Sequence, residues 1–236
     1  MNRGKNELRQ MELFRGIRPD TLDRLWHAGK VERCKKGQVI MRAREEVTSI
    51  YIQLTGKSMI YNLAHHGGRK IIFIYGKGSL LNEHVLNEHP GSVFCETIEE
   101  SRIFVVPVPE FTGCMEADFV LAKAVIAAQE RKLWRLSHQL KNTMGNIYME
   151  RKLAAKLWKL SRDFGVQVPE GIEIDINLSI TFLADMLGAP RETTSRLCKT
   201  LTDYGLMKMN RKRITIINPE KMSIFYKTGQ IGEGQK

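Results

Sequence analysis

Ile180-Thr-Phe-Leu-Ala-Asp-Met-Leu-Gly-Ala-Pro-Arg-Glu-Thr-Thr-Ser-Arg-Leu-Cys-Lys-Thr-Leu201 decides how the rest of the chain is read. The apolar spacing predicts a short helix over Ser179–Leu187 and a second over Arg191–Tyr204. Gly188 suits the turn between them, because glycine tolerates positive φ. Pro190 can open the second helix at its first turn. Ala184, Leu187, Leu197 and Leu201 fall where two crossing helices would bury one another, a helix-turn-helix layout. The second helix then presents Arg191, Glu192, Ser195 and Arg196 on its exposed N-terminal face. Arginine can bind guanine O6 and N7 with two hydrogen bonds, and glutamate can accept from cytosine N4. The bland alternative is an i,i+4 ion pair of Glu192 with Arg196 on a solvated helix.

The flanking sequence favours DNA. A strand pair is expected around Leu206–Met209 and Ile214–Ile217, with the basic turn Asn210–Arg213 between. From Pro190 to Arg213 there are seven basic residues (Arg191, Arg196, Lys199, Lys208, Arg211, Lys212, Arg213) and two acidic ones, Glu192 and Asp203. Thr193, Lys199, Lys208, Arg211, Lys212 and Arg213 are the candidate phosphate contacts, which position a protein on DNA without specifying sequence. Upstream, Met149–Phe164 reads as a basic amphipathic helix and Ile172–Ile176 as a short strand.

Between about Ala117 and Met144 the chain has neither glycine nor proline. Ile126, Leu133, Leu140 and Ile147 recur every seventh residue, with Leu136 between them and Gln129 and Thr143 at the weaker positions. That spacing predicts a coiled-coil dimer helix. A lone helix packed on its own domain is the alternative. From Val31 to Val108 short apolar runs alternate with glycine turns: Gln38–Met41, Ser49–Leu54, Ser58–Leu63, Lys70–Tyr75 and Arg102–Val106. They argue a barrel or sandwich. Arg18–Leu25 ahead of them reads as a small capped helix.

The chain has 236 residues, 42% of them hydrophobic and 27% charged, enough to build real cores. No apolar run reaches the roughly 18 residues of a membrane span, and the first ten residues lack a signal-peptide core, so a cytoplasmic protein with no membrane partner is expected. Lys and Arg number 37 against 26 Asp and Glu, a net charge of +11, which suits a polyanionic partner. Cys34, Cys95, Cys114 and Cys198 form no CxxC pair, so no metal site is expected from them. GxSxG, HExxH, P-loop and dinucleotide-binding strings are absent, which argues against an enzyme.

The order of glycine-punctuated strands, long helix and helix-turn-helix, with Arg191-Glu-Thr-Thr-Ser-Arg196 inside the second helix, resembles the bacterial cyclic-AMP-receptor/FNR family of transcription regulators. The resemblance covers about Leu13 to Asn218. It implies an α+β chain with three parts. Residues 1–116 would be an effector-sensing β-roll, a double-stranded β-helix like cyclic-nucleotide-binding domains. Residues 117–145 would be a coiled-coil dimerisation helix, and residues 146–236 a winged helix-turn-helix. It further implies a homodimer on a palindromic operator with TTGA- or TGTGA-like half-sites, read by Arg191, Glu192, Ser195 and Arg196, and contact with RNA polymerase.

The resemblance also frames the effector. Gly78-Ser-Leu-Leu-Asn-Glu83 is similar to the family's effector turn, and Glu83 matches its ribose-binding carboxylate. Where cyclic-nucleotide members carry a phosphate-binding arginine, this chain reads Ser92-Val93-Phe94, so cyclic AMP is not expected. With Cys34 as the first cysteine, an iron–sulfur cluster is not expected. His84 falls where haem-binding members place a histidine, with His89 and Cys95 following and Asn82 at the companion cysteine position. The remaining expectation is an unidentified small apolar or aromatic effector in a pocket of Tyr61, Phe73, Tyr75, Glu83, His84, Phe94, Gln129 and Leu133, near Trp134. A haem-based gas or redox sensor and an effector-independent regulator are the alternatives, since aromatic side chains also simply fill cores. Effector binding would shift the helix register near Gln129–Thr143 and act through Gly145-Asn146 on the recognition helices.

Overall fold

A computed structural model describes residues 2–64, 67–86, 89–141 and 148–231. The chain divides into two units, residues 1–137 and 138–236. Ile147, Thr143, Gly145 and Asn146 lie outside the described residues.

The first unit opens with helices α1 (Asn2–Arg9) and α2 (Pro19–Ala28). Pro19 starts α2, and Leu22 and Leu25 face inward, as the Arg18–Leu25 reading expects. Seven strands follow: β1 (Lys30–Cys34), β2 (Val39–Met41), β3 (Ser49–Thr55), β4 (Ser58–Leu63), β5 (Arg69–Tyr75), β6 (Phe94–Thr97) and β7 (Ser101–Pro107). They form two antiparallel sheets, β1-β7-β3 and β2-β6-β4-β5. Five of the seven answer to runs read in the sequence. β1 and β6 do not, because charged residues break their apolar pattern at Lys30, Glu32, Arg33 and Glu96. Ile60, Phe73, Tyr75, Leu81, Cys95, Ile103 and Val105 bury one another as one core. A second core joins Ile50, Ile52, Leu54, Phe104 and Val106 to Leu22, Leu25, Phe111, Leu121 and Val125. The β-rich unit thus carries α2, α3 (Val108–Ala117) and the start of the long helix α4 (Phe119–Lys141) against β3 and β7.

Asp118 separates α3 from α4. Its carboxylate accepts from the Arg18 amide (2.8 Å) and the Val120 amide (3.1 Å), tying the α4 start to the α2 start. A side-chain acceptor for orphan helix amides contributes about 1 kcal/mol.

The second unit contains α5 (Met149–Phe164), α6 (Ile180–Leu187), α7 (Arg191–Asp203), α8 (Pro219–Thr228) and the sheet β10-β11-β9-β8. Its strands are β8 (Gly165–Val168), β9 (Gly171–Ile174), β10 (Met207–Asn210) and β11 (Arg213–Ile216). Leu153, Leu157 and Leu160 of α5 are buried together with Leu183, Leu201, Ile214, Ile216 and Phe225. α5 has contacts to α7, α8 and the sheet, so it is the spine of this unit.

Candidate nucleic-acid interface and effector site

The helix-turn-helix is built by local rules. The Ser179 hydroxyl accepts from the Phe182 amide (3.1 Å) and caps α6. Gly188 takes the left-handed conformation, φ 69°, and its amide donates to the Ala184 carbonyl at 2.8 Å. Pro190 caps α7 from one position outside the helix rather than within its first turn. Thr194, Cys198 and Leu201 form the buried stripe of α7. The sequence placed Leu197 on that face; it is only half-buried, one step around the helix.

Turning Thr194 and Cys198 inward turns Arg191, Glu192, Ser195 and Arg196 outward. All four are exposed, and with Ile180 they line one open concavity of about 390 Å³. Lys199 is exposed on the same helix and Thr193 is half-buried. The β10–β11 hairpin presents Lys208, Arg211 and Lys212 to solvent, with Arg211 at φ 55° in the turn. The Lys212 carbonyl accepts from the Leu178 amide (2.7 Å), which ties this wing to the residues leading into α6. Arg213 is used differently. Its guanidinium pairs with Asp175 (2.9 Å) and approaches Glu173 (3.9 Å), so it braces β11 against β9 and the segment after it.

In the first unit the eight proposed pocket residues do not form one group. Ile60, Phe73 and Cys95 sit in register and face the core. Tyr61 and Phe94, each one residue along, face the other way, because strand side chains alternate. They stack on each other at 5.3 Å. Arg69 lies over the Tyr61 ring (4.8 Å) and pairs with Glu96 (3.1 Å). Leu133 is exposed.

Phe73, Tyr75, Glu83 and Gln129 do come together, beneath α4. The Gln129 amide donates toward the Asn82 (3.4 Å) and Glu83 (3.3 Å) carbonyls. The Lys132 ammonium donates to the Asn82 carbonyl and stands 5.5 Å from the Tyr75 ring centre. Arg135 stands 4.7 Å over the Phe73 ring. Asn82 is pinned to β3, accepting from the Tyr51 amide (2.7 Å) and donating to the Ser49 carbonyl (2.8 Å). The Glu83 carboxylate accepts from the Ser92 amide and hydroxyl, the latter at 2.9 Å. His84 lies 3.4 Å from Glu83, with His89 edge-on at 6.2 Å. Among the described residues no group of three or more His, Cys, Asp or Glu could hold a metal ion.

Burial pulls the Lys132 ammonium down to about 8, while Glu83 and Cys95 pull the other way without cancelling it. Burial pushes the Cys95 thiol up to about 12, so it is neutral. It raises the Tyr75 phenol as well. Lys132 and Arg135 escaped the sequence reading, because cations on a helix read as a solvated face. The i,i+3 steps from Gln129 to Lys132 and from Lys132 to Arg135 were the available signal.

The residues of the predicted seam are exposed. Ile126 is 52% exposed, Leu133 65%, Leu136 43% and Leu140 64%. Phe119, 71% exposed and seven residues before Ile126, extends the row by one heptad. No described helix is long and apolar enough to cross a membrane.

Residues 31–118 match the cyclic nucleotide-binding domain and residues 151–223 the Crp-like helix-turn-helix domain. The chain is 23% identical to the global nitrogen regulator of Synechococcus elongatus over 197 residues, 82% of this chain and 88% of that protein. It is 25% identical to the probable transcriptional regulator flp of Lacticaseibacillus casei over 217 residues, 90% and 94% of the two chains. The fold is shared with FixK2 from Bradyrhizobium japonicum, with a TM-score of 0.72 at 18% identity over 88% of this chain and 99% of that one. With an effector-type β-domain, a long helix and a Crp-like helix-turn-helix in that order, the chain belongs to the Crp/Fnr family of DNA-binding transcription regulators.

Proposed function

We propose that two copies of the chain bind a two-fold symmetric operator under the control of a small molecule in the β-roll. The observation that carries the DNA reading is the exposed group Arg191, Glu192, Ser195 and Arg196 around one concavity at the start of α7. Arg196 and Arg191 offer paired donors to guanine and Glu192 an acceptor for cytosine, which suits TTGA- or TGTGA-like half-sites. Lys199, Lys208, Arg211 and Lys212 hold flanking phosphates. Dimerisation along Phe119, Ile126, Leu133, Leu136 and Leu140 sets the half-sites about one helical turn, roughly 34 Å, apart. RNA polymerase is the further partner that membership of the family suggests.

Effector binding centres on Phe73, Tyr75 and Gln129, with Glu83 held at its edge by Ser92. Cyclic AMP fits poorly: Ser92, Val93 and Phe94 offer no cation for its phosphate, and Ser92 already occupies the Glu83 carboxylate. Population shift between two dimer arrangements is the route from effector to DNA.

Arg196→Ala tests the DNA reading by fluorescence anisotropy on a TTGA/TGTGA palindrome. One bidentate contact discriminates by about 1–3 kcal/mol, so two half-sites lose about 2–6 kcal/mol while non-specific binding barely changes. Unchanged operator affinity would sink the reading.

A further inference from the structure

A cavity of about 290 Å³ lies where the end of α1 meets the start of α2. Phe14, Ile17, Pro19 and Leu22 give it an apolar lining, and Lys5, Arg9 and Arg15 give it three cations. Among the described residues no carboxylate lines it. Lys5 pairs with Asp23, whereas Arg9 and Arg15 are exposed and meet no carboxylate among the described residues. The walls are fixed in advance. Leu8, Phe14 and Leu22 are buried in one core. Glu7 of α1 accepts from Arg102 of β7 (3.1 Å). Gly4 brings α1 so close to α2 that a Cβ there would stand 2.5 Å from the Trp26 ring. Gly16, at φ 79°, turns the chain between the two helices.

We infer that this cavity binds a small organic acid with a short hydrocarbon body. Arg9 and Arg15 hold the acid group, and the body lies on Phe14, Ile17 and Leu22. The site is separate from the effector reading above and does not depend on it, since its lining shares no residue with Phe73, Tyr75, Glu83 and Gln129. Two guanidiniums lining one cavity repel each other, and an anion between them turns that repulsion into attraction. A guanidinium also matches a carboxylate in shape, offering it two parallel hydrogen bonds. The apolar lining asks for more than a bare anion. Each methylene that it takes out of water tightens binding about fourfold. Sites for drug-sized ligands span about 300–1,000 Å³, so this volume suits a ligand at the small end of that range.

The carboxylates nearby in the chain are engaged with other groups. Asp23 pairs with Lys5, Asp20 with Arg18 (3.5 Å) and Glu12 with Arg131 (3.2 Å), while Asp118 holds the Arg18 and Val120 amides. The cavity is therefore left with a positive field that an incoming acid meets. Because Arg9 and Arg15 are exposed, dissolved salt screens part of that attraction. Acid affinity then falls as sodium chloride rises, and that of a neutral analogue does not.

The test titrates octanoate, octanamide, hexanoate and inorganic phosphate into the full-length chain by calorimetry at low and at physiological salt. Octanoate is expected to bind once per chain, about tenfold or more tighter than octanamide, as two charged partners require. Hexanoate, two methylenes shorter, should bind about 15-fold more weakly than octanoate. Arg9→Gln and Arg15→Gln should each weaken octanoate about fivefold, the upper end for an exposed pair, and leave octanamide unchanged. The double variant should abolish the preference for the acid. Both side chains are exposed, so the variants are expected to fold, and melting curves check this. Equal binding of octanoate and octanamide overturns the inference. Phosphate binding as tight as octanoate does so too, since the hydrocarbon body then counts for nothing. Octanoate binding that survives the double variant places the acid elsewhere and also overturns it. If octanoate does not bind at all, the ligand site falls; a dimer weakened by the double variant would then mark this face as a contact between copies. None of these outcomes bears on the effector reading beneath α4 or on Arg196→Ala.

Discussion

Leu133→Ala gives the sharpest quantitative test of the dimer seam. Leu133 is 65% exposed in the single chain, the third residue of the row Phe119, Ile126, Leu133, Leu140. Complete burial of a leucine side chain contributes about 1.5–3 kcal/mol. About two-thirds of that surface remains to be covered, so seating Leu133 against a partner contributes about 1–2 kcal/mol in each protomer. Two-fold symmetry counts the change twice, for a loss of about 2–4 kcal/mol per dimer. The dimer dissociation constant then rises about 30- to 1000-fold. The single chain loses almost nothing, since the removed atoms touch mainly solvent and alanine is the better helix former. Sedimentation equilibrium across a concentration series measures the constant, and melting of the dissociated chain supplies the control. Operator affinity should fall in step when the protein is dilute and recover when it is concentrated. A dimer constant unchanged by Leu133→Ala refutes the dimer seam, and so does a strictly monomeric wild-type protein.

Two further outcomes follow from single groups. Lys132 is depressed from an ordinary 10.5 to about 8, so between those values the unfolded chain holds more protons than the folded one, and stability rises with pH across that window. Its cost is fully present below pH 8. Melting curves from pH 7 to 10 should therefore show a steeper relative gain for the wild type than for Lys132→Met, and parallel curves would contradict a desolvated ammonium. Gly171 has φ 139°, and a Cβ there would lie 2.1 Å from the Ile216 carbonyl oxygen, where β9 meets β11. Gly171→Ala should cost about 1–3 kcal/mol and lower the melting temperature of the DNA-binding unit, whereas a neutral effect would show that β9 can shift.

Much of the architecture lies in local chemistry and was open to reading. Ser179, Gly188 and the apolar spacing between them define α6 without outside help, because a cap, a left-handed glycine and a 3.6-residue period act over a few residues. The outward face of α7 followed from the same periodicity, and so did the seven-residue row on α4. α8 was equally legible: Asn218-Pro219-Glu220 is a cap, a proline start and an acidic first turn, and the Asn218 side chain accepts from the Lys221 amide at 3.0 Å.

The surroundings of Phe73 and Tyr75 beneath α4 were not legible in that way, for three physical reasons. Strand parity put Tyr61 and Phe94 on the face opposite Ile60 and Cys95. A register shift between Ile60 and Tyr61 on β4–β5 makes such parity unreadable without the pairing itself. Glu83 was assigned from a motif, but only the folded loop brings Ser92 against it, nine residues away. Lys132 and Arg135 carry no mark in the sequence that separates them from the solvated lysines and arginines of any helix. Charge is written in the chain, but desolvation depends on what stands opposite, and here Asn82, Tyr75 and Phe73 arrive from strands and loops more than forty residues away. The sequence by itself determined the helix-turn-helix, the outward placement of Arg191, Glu192, Ser195 and Arg196 and the exposed seven-residue row on α4, all set by neighbours within a turn or two. The tertiary structure alone decided which aromatic wall faces α4 and that its cations come from the helix, since burial and register are properties of distant segments brought together.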